Sequence, residues 1–112
     1  MITLSHSIEQ GVDIVGINGR LTASDAESVS DQLHQILEIG KKNLTIDMTK
    51  LEFVDSSGLS VLICTLKAAR SGGGDMVLLN VNPRIMTLLE LTRLNEIINI
   101  YDNQENLIRS FQ

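Results

Sequence analysis

Four consecutive residues, Asp-Ser-Ser-Gly at positions 55–58, have the side chains and the position for regulation by phosphorylation. A strongly apolar stretch at 59–69 follows them and predicts a helix. The unpaired N–H groups and positive dipole end of a helix start favour a negative group by about 0.3–1 kcal/mol. A phosphate on Ser56 would therefore leave the fold intact.

Two interpretations of Ser56 fit this position, and they are compatible. A serine just before a helix is commonly a plain N-cap. A phosphoserine would add about −1.5 to −2 charges, which can cost several kcal/mol in a bound interface. Since about 1.4 kcal/mol is tenfold in affinity, a bound partner would sense the phosphate more than the fold does. Asp55 could hold the loop or orient the Ser56 hydroxyl.

The predicted helix after Ser56 has two distinct sides. Its core stripe consists of Leu59, Leu62, Ile63 and Leu66. The opposite side carries small, weakly polar residues, namely Ser57, Val61, Cys64 and Ala68. Either another element covers this strip, or it is a flat face that docks a partner.

The length and composition predict one domain over residues 1–112 with an aliphatic core. The chain is 43% hydrophobic but only 3% aromatic, and it has no Trp. The net charge of −5 argues against nucleic-acid binding, which needs clustered Lys and Arg. No apolar run is long enough to insert into a membrane and the N-terminus lacks a secretion signal, so we expect a cytoplasmic protein. Cys64 is the single cysteine, so an internal disulfide is impossible.

Hydrophobic periodicity and turn residues predict the element order ββαβαβα(β)α. The successive elements are a hairpin turning at 9–11, a helix capped by Thr22 or Ser24 and ending at Gly40, a strand at 44–48, the helix after Ser56, a Gly-rich turn at 71–74, a strand at 76–81, a Pro83-led helix, an edge strand at 97–101 and a terminal helix. This order indicates an α/β fold in which about four helices flank a mixed sheet of four or five strands. Loops at the carboxyl edge of such a sheet are the usual functional ones, and the 55–58 loop belongs to that edge.

The segment Phe-Val-Asp-Ser-Ser-Gly-Leu-Ser-Val-Leu at 53–62 resembles the signature of the STAS family of anti-sigma factor antagonists. The likeness extends over the whole chain as a single STAS domain. It implies that Ser56, directly after Asp55, is the phosphoacceptor, with Ser57 and Gly58 supporting the loop. It also implies a partner that is a serine kinase and anti-sigma factor, or a response regulator with a kinase domain, and a PP2C-type phosphatase that resets the switch.

The chain departs from the family pattern at one place. Many antagonists carry Gly-Glu-Leu/Ile-Asp after the second strand, whereas this chain has Gly-Arg-Leu-Thr at 19–22. The two acidic positions are lost, so the same kinase contacts cannot be assumed. Arg20 could instead lie near the phosphate and contribute to partner binding.

Two other functional classes compete with a phosphorylation switch. An enzyme is disfavoured because His6 and His34 have no ligand or acid at catalytic spacing, and the 72–74 glycines lack the Gly-Lys-Ser/Thr of a phosphate loop. We therefore expect no cofactor and no metal, with any ATP held by the partner. The other class is a constitutive STAS subunit of a larger assembly, such as a lipid-transport ATPase or a stress-sensing complex.

Overall fold

The computed structural model describes residues 2–40 and 42–111, which form one sheet with helices on both faces. The elements in chain order are β1 (Ile2–Glu9), β2 (Val12–Leu21), α1 (Ala23–Ile39), β3 (Asn43–Asp47), β4 (Leu51–Val54), α2 (Ser56–Ser71), β5 (Asp75–Leu79), α3 (Pro83–Leu91), a 3-10 turn (Leu94–Glu96), β6 (Ile100–Tyr101) and α4 (Gln104–Ser110).

The long strand β2 organises the sheet. Its first edge pairs antiparallel with β1 across a two-residue turn, in which Gln10 and Gly11 have φ of 51° and 81°. Its second edge pairs in parallel with β3 at Asp13–Gly16 and then with β4 at Gly19–Leu21. The ends of β2 and β4 are therefore neighbours, and each leads into a helix.

The remaining strands extend the sheet in parallel, because a helix crosses over between them. The order is β1-β2-β3-β5-β6, with β4 beside β2. The predicted fold class, a mixed α/β sheet with four helices, is confirmed, although the described residues form six strands rather than the expected four or five, because β4 joins the sheet beside β2.

Two hydrophobic clusters hold the layers together. The larger one packs α1, α2 and α3 on one face of the sheet, through residues such as Leu33, Leu62 and Leu89. The smaller one lies on the other face, where Leu107 and Ile108 of α4 cover β2 and β5. Both clusters are almost entirely aliphatic, as the composition predicts.

The structure differs from the sequence prediction in local details. Residues 51–54, where the sequence predicts no strand, form the short strand β4. The predicted edge strand at 97–101 is confined to Ile100–Tyr101, because the chain is still turning after the 3-10 turn at Leu94–Glu96, with Ile97 in a helical conformation. His6, which has no neighbouring acid at ligand spacing in the sequence, contacts Asp13 at 2.8 Å across the hairpin. Within residues 2–40 and 42–111, no helix is long and apolar enough to cross a bilayer.

Candidate functional site

The Asp55 carboxylate caps two helices at once. Its Oδ1 accepts the backbone N–H of Gly58 at 3.0 Å, which is the N-cap bond of α2. Its Oδ2 accepts the backbone N–H of Ala23 at 3.0 Å, at the start of α1. Two unpaired N–H groups, one from each helix start, are thereby satisfied by one side chain. The predicted role of Asp55 in holding the loop is consistent with this geometry.

The electrostatics of Asp55 follow from these bonds. The N–H of Gly58 is the main cause that holds the pKa of the Asp55 carboxyl below its ordinary value of 3.8. Partial burial opposes this shift, and the N–H of Ala23 adds to it. Hydrogen bonds from the backbone stabilise the charged form, so Asp55 is an anion at neutral pH.

The bond from Asp55 to Ala23 also explains how the start of α1 is capped. Thr22 occupies the N-cap position of α1, as predicted, but its side chain makes no capping bond. Its hydroxyl lies 3.0 Å from that of Ser24 instead. Neither predicted residue satisfies the helix start through its side chain, because the long-range bond to Asp55 does so.

Gly58 allows the loop to pack closely on β2. A Cβ atom at Gly58 would lie 2.6 Å from Val54 Cγ1 and 2.7 Å from the Leu21 carbonyl oxygen. Both distances are below van der Waals contact, and a carbonyl oxygen in a strand cannot easily move. The predicted supporting role of Gly58 therefore has a steric basis, which is the close approach of α2 to β2 and β4.

Ser56 is the first residue of α2 and is exposed to solvent. The interpretation of Ser56 as an N-cap is wrong, since Asp55 occupies that position and makes the capping bond. Within the described part of the chain, no hydrogen bond involves the Ser56 hydroxyl, whereas its carbonyl oxygen accepts the Ser60 hydroxyl at 3.1 Å. Ser57 beside it is half-buried. Ser56 is thus exposed where another protein could reach it, and within the described residues its hydroxyl holds no part of the loop by a hydrogen bond.

The predicted strip of small residues on α2 is only partly at the surface. Val61 is 5% exposed and packs in the larger core cluster, so its prediction as a partner-binding residue is wrong. The physical reason is that α1 lies against α2 on the same face of the sheet. Ala68 is half-buried, and Cys64 is exposed with a free thiol. The accessible part of the strip therefore consists of Ser57, Cys64 and the edge of Ala68.

Arg20 lies at the end of β2 beside the loop. In the parallel register it pairs with Phe53 of β4, three residues before Ser56. Its guanidinium carbon is 4.4 Å from the centre of the Phe53 ring, and Phe53 is 39% exposed. This pair forms a basic and aromatic surface next to the loop, which the sequence did not reveal because β4 was not predicted.

The chain matches one protein family over most of its length. The family model described as the STAS domain matches residues 5–107. The chain is 31% identical to the anti-sigma F factor antagonist of Paenibacillus polymyxa, over 99% of this chain and 94% of that protein.

Solved structures show the same architecture. An anti-sigma factor antagonist from Mycobacterium paratuberculosis has a TM-score of 0.88 at 21% identity, covering 99% of this chain and 94% of that chain. The anti-sigma factor antagonist SpoIIAA has a TM-score of 0.74 in its unphosphorylated form, at 16% identity over 98% of this chain and 96% of that one. Its phosphorylated form, from Bacillus, has a TM-score of 0.73 at 16% identity, with 98% and 99% covered.

Proposed function

Because the chain belongs to the STAS domain family, and within it to the anti-sigma factor antagonist type, we propose that it is a protein-binding switch controlled at Ser56. Unphosphorylated, it binds a serine kinase that is also an anti-sigma factor, or a response regulator with a kinase domain. Phosphorylation of Ser56 by that partner releases it. A PP2C-type phosphatase restores the binding form.

This proposal rests on the different roles of Asp55, which holds the loop, and Ser56, which is exposed. Asp55 makes both capping bonds, at 3.0 Å each, so the loop keeps its shape without the Ser56 hydroxyl. Ser56 is exposed at the first position of α2, where a negative group is electrostatically favoured. Phosphorylation would therefore change the charge of the surface while preserving the fold.

The partner would lose affinity for two physical reasons. A docked surface desolvates the loop, and a phosphate adds about −1.5 to −2 charges that must then be buried or repelled. The Asp55 anion lies one residue away, so the modified loop would concentrate negative charge at one point. A SpoIIAA relative with the same fold exists in both unphosphorylated and phosphorylated forms, which supports such a modification here.

The surroundings of Ser56 indicate how the partner docks. The accessible strip of α2, with Ser57, Cys64 and Ala68, offers a flat face without charge. On the other side of the loop, Arg20 stacked on Phe53 provides a positive group with an apolar base. We expect the partner to place an acidic side chain against Arg20, whereas partners of relatives with an acid at this position would place a basic one there.

Phosphorylation in a native extract tests the proposal. Purified wild type, Ser56→Ala and the matched control Ser57→Ala are incubated with ATP and extract from the producing organism, and the phosphorylated residue is mapped by mass spectrometry. We expect phosphate on residue 56 of the wild type and of Ser57→Ala, and none on Ser56→Ala. Phosphate on Ser57 alone, or equal labelling of all three proteins, would contradict the proposal. Stable capture of a transporter ATPase without any phosphorylation would favour a constitutive subunit instead.

A further inference from the structure

The strand β1 is an edge strand that lacks the usual protection against further pairing. Among the residues that the structure describes, it pairs with β2 on one side only, in an unbroken register from Ile2 to Glu9 without a bulge. Its sequence, Ile-Thr-Leu-Ser-His-Ser-Ile-Glu, contains no Lys, Arg or Pro. Natural proteins block exposed edges with such residues or with bulges, so a long, regular edge without them is available for strand addition.

The hairpin turn determines which backbone groups face outward. Because Gln10 and Gly11 form a two-residue turn with positive φ, Glu9 and Val12 are a hydrogen-bonded pair. Antiparallel pairs alternate, so the odd-numbered residues of β1 bond to β2. The even-numbered residues direct their N–H and C=O groups away from the sheet; they are Ile2, Leu4, His6 and Ile8.

The residues of β1 whose backbone groups face outward can pair with the same set of residues in a second copy. An antiparallel second copy of β1, centred on Ser5, places Ile2 opposite Ile8 and Leu4 opposite His6 of the second copy. Each of these pairs joins two outward-facing residues and occurs twice by symmetry, so the pairing provides about eight backbone hydrogen bonds. The same-face side chains meet as apolar or neutral cross-strand pairs, which stabilise antiparallel pairing.

An apolar groove follows the same edge. It lies between β1 and α1, encloses about 550 Å³, and is lined by residues that include Leu4, Ile8, Ile36 and Ile39. Ile8 is 66% exposed and Ile39 is 89% exposed, which is unusual for isoleucine. In the paired arrangement both copies carry α1 on the same face of the joined sheet, so the two grooves adjoin.

The charges beside the groove permit this approach. The residues of α1 that line it with Ile36 and Ile39 are the neutral Gln32 and Gln35. The acidic residues Glu27, Asp31 and Glu38 of the same helix do not line it. Asp13 of β2 also lines the groove, but it is buried and its carboxylate contacts His6 of the same copy at 2.8 Å. Two α1 helices can therefore approach across the joined grooves without bringing exposed carboxylates of the lining into contact.

We infer that this protein forms a two-fold symmetric dimer by antiparallel pairing of β1 with β1 of a second copy, centred on Ser5. The two sheets join into one continuous sheet, and each copy covers the groove of the other. The Ser56 loop lies at the end of β4, on the opposite edge of β2. Both loops of the dimer therefore stay open to a partner, and the inference does not depend on the function proposed for Ser56.

Disulfide trapping tests the register of the dimer. In a Cys64→Ser background, which removes the native thiol, Ser5→Cys places two thiols at a non-hydrogen-bonded pair whose Cα atoms are about 4.5 Å apart. The matched control Ser7→Cys, exposed on the same strand, places them about 13 Å apart. We expect mild oxidation to cross-link Ser5→Cys and not Ser7→Cys. Equal cross-linking of both, or of neither, would overturn the inference.

Sedimentation velocity tests the dimer without a disulfide. We expect concentration-dependent dimerisation of the wild type, and a dissociation constant at least about tenfold higher for Ile8→Lys, which charges the edge. Ile8 is largely exposed, so this variant keeps its fold, as circular dichroism can verify. Thr87→Lys, exposed on α3, is the control for added charge and should dimerise like the wild type. A wild type that stays monomeric at high micromolar concentration, or an unchanged Ile8→Lys dimer, would refute the inference.

Discussion

The backbone nitrogen of Ala23 lies 3.0 Å from Oδ2 of Asp55, across 32 residues of sequence. This bond joins the start of α1 to the loop that starts α2. The other carboxylate oxygen, Oδ1, caps α2 through Gly58. One side chain therefore fixes the relative position of two helix starts. The Ser56 hydroxyl is not needed for this.

Replacing Asp55 tests this double cap. Asn keeps the shape of the side chain but has one acceptor oxygen, so Asp55→Asn can cap only one of the two helices, and Asp55→Ala can cap neither. We expect the melting temperature at pH 7 to fall in the order wild type, Asp55→Asn, Asp55→Ala. Asp31→Asn, an exposed site on α1, is the control. Thermal unfolding followed by circular dichroism measures the order, and an Asp55→Asn protein as stable as wild type would contradict the double cap.

The lowered pKa of Asp55 predicts a pH dependence with a definite sign. The N–H of Gly58 is the main cause that holds the folded-state pKa of Asp55 below 3.8, its value in an unfolded chain. The ionised carboxylate therefore contributes its full stabilisation above about pH 3.8, and this contribution is lost as the pH falls through the folded-state pKa. We expect the difference in unfolding free energy between wild type and Asp55→Asn to be constant from pH 7 to 5 and to shrink below. Urea titrations across this range measure it, and a difference that grows in acid would have the wrong sign.

The close packing of Gly58 predicts a cost for the smallest possible side chain. In an open helix, Gly→Ala stabilises by up to about 1 kcal/mol through helix propensity. At Gly58 the new Cβ would meet Val54 and the Leu21 carbonyl at 2.6 and 2.7 Å, so we expect Gly58→Ala to destabilise by about 1–3 kcal/mol. Ser60→Ala, exposed on the same helix, should change the stability by less than about 0.5 kcal/mol. Urea unfolding of both variants measures the contrast, and a Gly58→Ala protein more stable than wild type would disprove the steric role.

Thr45 offers a stabilising substitution. It lies in β3 between Ile14 and Val77 of the neighbouring strands, it is 0% exposed, and its hydroxyl has no hydrogen-bond partner among residues 2–40 and 42–111. Valine has nearly the same shape without the buried polar atom, so Thr45→Val should stabilise the fold by about 1 kcal/mol. This corresponds to a rise of about 4–8 °C in melting temperature for a domain of this size. Thr87→Val, at an exposed position, is the control, and an unchanged or lower melting temperature of Thr45→Val would contradict the expectation.

The sequence predicted most of the fold because its signals are local. Apolar residues at spacings of three and four defined the long helices, and the turn residues at Gly40 and Ser71–Gly74 defined where α1 and α2 end. The turn residues Gln10-Gly11 defined the hairpin of β1 and β2. Strand β4 was missed because four residues with only Leu51 and Val54 buried give too short a pattern. It becomes a strand through its pairing with β2, which is a tertiary effect.

Only part of the site was predicted, because some of its contacts join residues that are distant in the sequence. The loop and its acid were recognisable from Asp55 to Gly58, since these residues are consecutive. The bond from Asp55 to Ala23 joins distant positions, so nothing near Thr22 could indicate that its own hydroxyl would not cap α1. Val61 was assigned to the surface from a helical wheel of α2 alone, which cannot show that α1 covers that side.

Binding of cellular proteins to Ser56 variants tests the central claim most directly. Immobilised wild type, Ser56→Ala, Ser56→Asp and the matched control Ser7→Asp, exposed on β1, are incubated with native extract, and the retained proteins are quantified by mass spectrometry. We predict that a kinase-type protein is retained by wild type and Ser56→Ala and reduced at least about tenfold with Ser56→Asp, because the added charge opposes docking. The Ser7→Asp control should retain the protein like the wild type, since Ser7 pairs with Ile14 near the start of β2, away from the Ser56 loop at its end. Equal retention by wild type, Ser56→Ala and Ser56→Asp would contradict a switch at Ser56.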